Sequence, residues 1–145
     1  MIQMISGAQG AAAALEAQRV RMDIVSQNIA NAHVTKGKDG QPYKRQQVVF
    51  EHFLPSSQAG RGGGGEDGAR QIRVARVEED KSPPRILNLP RHPHADSQGN
   101  VALPNVNIHE EMVDLVVAAR AFEANLAAIK TARSMALQSL SIGKR

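Results

Sequence analysis

Apolar positions recur at alternating gaps of three and four in two stretches, one at each end of the chain. In the first, Met4, Ala8, Ala11, Leu15, Met22, Val25, Ile29 and Ala32 keep the rhythm, and Gln18 is the one polar residue in the register. This is the a/d pattern of a coiled-coil seam and predicts a helix over residues 7–32. Ser6 followed by Gln9 fits a capping box, while Gly7 and Gly10 weaken the first turn. In the second stretch, Ile108, Met112, Leu115, Ala119, Phe122, Leu126, Ile129, Ala136 and Leu140 hold the register, interrupted by Arg133. The predicted helix spans residues 108–142. Asn107 is its N-cap and Glu110 stands where the box partner belongs. Glu110, Glu111 and Asp114 near its start, with Lys144 and Arg145 at the end, suit the helix dipole. At 1.5 Å per residue such a helix is on the order of 50 Å long.

Between these helices the period changes. Asp39-Gly40 is a turn signal, Tyr43 to Phe53 is β-prone, and Arg70 to Val77 alternates basic and apolar residues as a half-exposed strand does. Pro83-Pro84 interrupts that run. Ile86, Leu87 and Leu89 form a further short strand, Asp96 to Gly99 a turn, and Val101 to Leu103 a short extended piece. Residues 55–69 are Gly-rich and read as a flexible loop. The expected fold is mainly α. Long N- and C-terminal helices pair as a coiled-coil-like hairpin, with a small β-rich insert between them. The segments are 1–34, 35–106 and 107–145.

Composition changes the picture in one respect. The chain has 145 residues, about one domain's worth, and is 41% hydrophobic, yet aromatics make up only 3%. Large aromatics dominate most cores. A chain so poor in them is badly supplied for a compact core and must either fold modestly or bury apolar surface against other chains. The net charge of +4 is thinly spread, whereas a nucleic-acid binder concentrates Lys and Arg on one face. No cysteine is present, which removes disulfides and thiol chemistry. Met1 to Ala14 lacks the basic and apolar regions of a signal peptide, and no apolar run approaches the ~20 residues of a membrane span.

Candidate chemistry is thin. His92-Pro93-His94, with Asp96 and His33, contains imidazoles and a carboxylate but not the four-ligand spacing of a structural zinc site. Gly60 to Gly68 lacks the GK[ST] entry of a phosphate loop and leads into Glu66-Asp67. Ser141 to Lys144 matches S-x-x-K without the companion elements of serine acylation. Glu78, Glu79 and Asp80 beside Lys81 read as a solvated turn. No catalytic, cofactor or metal site is expected. The two seams carry the signal: either they pair within the chain and only stabilise it, or they serve assembly with other chains.

Ser26-Gln-Asn-Ile-Ala-Asn-Ala32 resembles the N-terminal signature of the flagellar axial proteins, the rod, hook and hook-associated subunits, with Asn28 and Asn31 at its paired asparagines. Asp39-Gly-Gln-Pro-Tyr-Lys-Arg-Gln-Gln-Val-Val-Phe50 resembles the segment after the first helix in the FlgC branch, the proximal rod proteins. So do His92-Pro-His-Ala-Asp96 with Gly99, and Leu103-Pro-Asn-Val-Asn107. Met112-Val-Asp-Leu-Val-Val-Ala-Ala-Arg-Ala-Phe-Glu-Ala-Asn125 is similar to the shared C-terminal motif, with Phe122 where Tyr is usual. The resemblance implies a structural subunit of the proximal rod, exported unfolded by the flagellar type III apparatus without a cleaved signal, and placed in the periplasm. Its terminal helices would pack into the tubular drive shaft that transmits torque around the export channel. Implied partners are other rod proteins, copies of itself, the rod–membrane-ring adaptor and the membrane-ring protein, with no cofactor or small-molecule substrate. The residues expected at assembly interfaces are Leu15, Met22, Val25, Asn28, Ile29, Asn31, Met112, Leu115, Ala119, Phe122, Asn125, Leu126, Ile129 and Leu140. The competing expectation is a cytosolic coiled-coil adaptor that binds a helical partner.

Overall fold

A computed structural model describes residues 2–53 and 71–143, with side chains described over 9–52 and 71–143. The order is α1 (Ile2–Ala30), β1 (Gln46–Phe53), β2 (Gln71–Glu79), β3 (Arg85–Asn88), β4 (Asn100–Leu103) and α2 (Ile108–Ile142). Two long helices thus flank two small sheets, as the periodicities require. The predicted Gly-rich loop over 55–69 lies outside the described residues.

Helix α1 starts earlier than the sequence suggested, so Ser6 lies within it and is not its cap. Alanine is the best helix former, and the run Ala11 to Ala14 offsets the weakness of Gly7 and Gly10. The helix ends at Ala30; Asn31 follows, its side-chain amide donating to Gln27 O at 2.8 Å. Helix α2 starts as expected. Asn107 Oδ1 accepts from His109 N at 3.2 Å, while Glu110 Oε1 accepts from the Asn107 side-chain amide at 2.8 Å. Glu110 therefore braces the capping side chain and not the backbone N–H.

β1 pairs with β2, and Asp80 N donating to Arg45 O at 2.7 Å sits with the Arg73–Glu51 ion pair in an antiparallel arrangement. β3 pairs antiparallel with β4, Arg85 opposite Leu103 and Asn88 opposite Asn100. Its turn is built by Asp96, whose Oδ1 accepts from Gln98 N and Asn100 N, both at 2.8 Å. Gly99 there has φ 80°, and a Cβ at that position would lie 3.1 Å from Pro90 Cγ. Glycine is required on both counts.

The chain divides into two compact units. One contains residues 21–48 and 77–117; the other contains residues 2–20, 49–53, 71–76 and 118–143. In the first, Val25, Asn28, Ala32, Val101, Pro104, Val106 and Glu111 are buried. In the second, the buried side chains among the described residues are Ala17 and Ala118.

Candidate functional site

The most elaborate constellation is a polar cluster in the first unit, centred on two buried side chains. Asn28 on α1 is 1% exposed and Glu111 in the first turn of α2 is 0% exposed. Asn28 Nδ2 donates to Glu111 Oε2 at 2.9 Å and to Gln46 O at 2.8 Å. Its Oδ1 accepts from Gln46 N and from the Tyr43 hydroxyl, both at 2.9 Å. An amide side chain offers two donors and one oxygen with two lone pairs, so the capacity of Asn28 is filled. The second Glu111 oxygen accepts from Arg45 Nε at 2.6 Å.

Arg45 extends the cluster outward. Its Nη2 lies 3.8 Å from Asp114 Oδ2, its Nη1 4.0 Å from Asp80 Oδ2, and its backbone N donates to Asn105 Oδ1 at 2.8 Å. Asp114 Oδ1 also accepts from Arg21 Nη2 at 3.1 Å. The cluster therefore ties α1, the segment entering β1, the segment entering α2, and α2 itself. Removing one partner would strand a buried polar or charged group, which is the expensive outcome for such sites. Burial pushes the Tyr43 hydroxyl pKa up, and the charges of Glu111 and Glu79 push it further. The Ser82 side chain and backbone N–H hold the Asp80 carboxyl below its usual range.

Sequence reasoning named Asn28 but missed its partners. Glu111 reads in sequence as one more acid favouring a helix N-terminus, and Arg45 as one more surface base. The available signal was that Tyr43, Arg45 and Asn28 all fall in the quoted motif segments.

The helix faces are the second feature. Of the expected interface residues on α1, Val25 and Asn28 are buried, and Leu15, Met22, Ile29 and Asn31 are half-buried. On α2, Leu115, Ala119, Phe122, Asn125 and Ile129 are half-buried, whereas Met112, Leu126 and Leu140 are exposed. The covered stripe of α2 runs through Glu111, Leu115, Ala118, Phe122, Asn125, Ile129 and Ala132. At 3.6 residues per turn it is rotated by about 60° from the stripe the apolar rhythm marks out. Small residues at Ala118 and Ala132 allow close cover there. The opposite side carries Met112, Val113, Val116 and Val117, 54%, 62%, 59% and 52% exposed. Farther on, every residue from Arg133 to Gly143 is exposed, Met135, Leu137, Leu140 and Ile142 among them. A helix apolar on opposite faces is suited to burial on both.

The other sequence candidates have local roles. His94 Nδ1 lies 2.8 Å from Thr35 Oγ1, His92 Nδ1 accepts from His94 N at 3.1 Å, and Asp96 is committed to its turn. Among the described residues no group of three His, Cys, Asp or Glu side chains is arranged to hold a metal ion. Glu79 lies 3.6 Å from Lys44, and Ser141 Oγ donates to Gln138 O at 2.7 Å. Gly60 to Gly68 and Lys144 lie outside the described residues. No helix among the described residues is long and apolar enough to cross a membrane.

Comparison with known proteins matches both ends of the chain. A family model described as Flagella basal body rod protein matches residues 9–37, which include Asn28. A second, described as Flagellar basal body rod FlgEFG protein C-terminal, matches residues 97–142, which include Glu111. The flagellar basal-body rod protein FlgC of Borreliella burgdorferi is 39% identical, with 96% of this chain and 97% of that protein aligned. FlgC of Bacillus subtilis is 39% identical and FlgC of Salmonella typhimurium 37%, each over 92% of this chain and 93% of the relative.

Proposed function

Because this chain belongs to the FlgC family of flagellar basal-body rod proteins, we propose that it builds the proximal rod by packing its two terminal helices against neighbouring subunits. It is a structural subunit of the rod and not an enzyme. The cytosolic adaptor reading is not favoured, since similarity to rod proteins spans nearly the whole chain.

The observation that carries the proposal is the apolar stripe Met112, Val113, Val116 and Val117, exposed on the side of α2 opposite its covered face. Such a stripe is stabilised only when another chain covers it, at roughly 25 cal/mol per Å2. In this reading α1 and α2 pair as a coiled-coil-like hairpin along their covered faces, and the outward stripes meet further copies and other rod proteins. The rod–membrane-ring adaptor and the membrane-ring protein are the expected neighbours at the rod's base, and the periplasm is its expected place. The Ala-rich ends order as neighbours cover them, because so little apolar volume does not offset the ordering entropy alone. The tube so formed transmits torque around the export channel.

The experiment is deletion of the gene, with complementation, read by motility and by electron microscopy of isolated basal bodies. Non-motile cells whose basal bodies stop at the membrane ring, restored by the intact gene, are expected. Complete rods in the deletion strain would refute the assignment. In complemented cells Leu126→Asp is expected to block incorporation while leaving expression intact.

A further inference from the structure

We propose that Asn28, Glu111 and Arg45 form a register key: they select which turn of α1 lies against which turn of α2, and so decide where the outward stripe of α2 is presented to neighbouring subunits. The consequence for neighbours rests on the rod reading above; the register itself does not.

The apolar pattern specifies register poorly. Small residues hold many of the closed or half-closed positions on both helices, at Ala11, Ala13, Ala14 and Ala17 on α1 and at Ala118, Ala119 and Ala121 on α2. Contact between small side chains discriminates little between one alignment and the next. Apolar contact is non-directional. Hydrogen bonds are directional, and those of Asn28 are fully committed: Glu111 on the opposite helix, Gln46 N–H and carbonyl, and the Tyr43 hydroxyl.

A slip of one turn is a shift of about 5 Å. It would part Asn28 from Glu111 and leave one buried Asn28 donor and one buried Glu111 oxygen without their partner. Arg45 strengthens the selection, because it grips Glu111 while its backbone N–H is held by Asn105 at the approach to α2. The segment entering β1 therefore enters the same lock. Polar groups buried in helix pairs serve this purpose elsewhere: they select one alignment without adding net stability over an apolar replacement.

That distinction defines the test. The chain contains no cysteine, so Gln27→Cys and Val116→Cys, both at exposed positions of the unit that holds the cluster, give two unique spin-label sites. Pulsed spin-resonance on the labelled full-length chain is expected to give one narrow distance. In the same background, Asn28→Leu/Arg45→Met/Glu111→Leu is expected to keep helicity by circular dichroism while the distance distribution shifts or splits by about 5 Å. A single unchanged distance in that folded variant would overturn the proposal.

If the triple variant loses helicity, Glu111→Gln decides. It conserves volume but offers one acceptor oxygen to the two donors Asn28 and Arg45. A second distance population is expected, and its absence would overturn the key. In cells, the out-of-register variant is expected to leave rods incomplete. Normal rods from it would remove the consequence for assembly. Failure of the rod reading would show separately, as normal rods in the deletion strain.

Discussion

The unit of residues 21–48 and 77–117 encloses Val101 and Glu111 at 1% and 0% exposure and threads a hydrogen-bonded cluster between its helices and its loops. The other unit, among its described residues, buries two alanines, and its share of α2 ends in an exposed run from Arg133 to Gly143. The same two helices pass through both. The first unit has what a small fold needs to persist alone: satisfied polar groups, a capped helix and a few well-covered aliphatics. The second, among its described residues, has helix propensity and apolar surface but few side chains that are closed off from solvent. We read the first as the part that holds its shape before assembly, and the second as the part completed by neighbours.

This contrast can be broken most forcefully at Glu111. Glu111→Ala strands Arg45 and Asn28 and is expected to lower the stability of the first unit by about 3–5 kcal/mol. Leu140→Ala, in the exposed end of α2, is expected to change it by less than about 0.5 kcal/mol. Urea unfolding of the full-length chain compares them, and equal effects would erase the distinction. Next, Val101→Ala removes two methyl groups from a closed site and is expected to lower stability by about 2 kcal/mol, read the same way. Asn107→Ala deletes the cap of α2 and is expected to lower it by ~1 kcal/mol, with faster amide hydrogen exchange confined to the first turn of that helix.

A further effect sharpens the picture through pH. The Tyr43 hydroxyl titrates above its ordinary value in the folded chain, first because it is buried and then because Glu111 and Glu79 are near. The folded state thus favours the protonated phenol. Its contribution is complete below the unfolded value of ~10 and is lost as pH rises through the higher folded value. Tyr43→Phe removes one bond to Asn28 Oδ1, which Gln46 N still serves, and is expected to lower stability by ~1 kcal/mol at neutral pH. Its stability should then fall less steeply above pH ~10 than that of the unaltered chain. Parallel alkaline profiles for the two would show that the hydroxyl contributes nothing.

Much of the fold was legible in the chain. The long helices follow from the spacing of three and four, the β-rich insert from alternation and turn residues, and the start of α2 from Asn107 and Glu110. The early start of α1 is not marked by the capping signal at Ser6, since the helix begins before it, at Ile2. Which face of α2 is covered within the chain was not legible, because that helix has more than one apolar stripe and a rhythm of three and four does not say which one is covered first.

The sequence by itself determined where the helices and strands lie, because periodicity, caps and turn residues act over a few neighbouring positions. It also carried the family motifs that name Asn28, Asn31 and Asn125. Tertiary structure alone decided that Glu111 and Arg45 belong with Asn28, and that Met112 and Val113 face outward while Ala118 is closed. Those facts depend on residues 83 and 66 positions apart meeting in space, and no local rule contains that pairing.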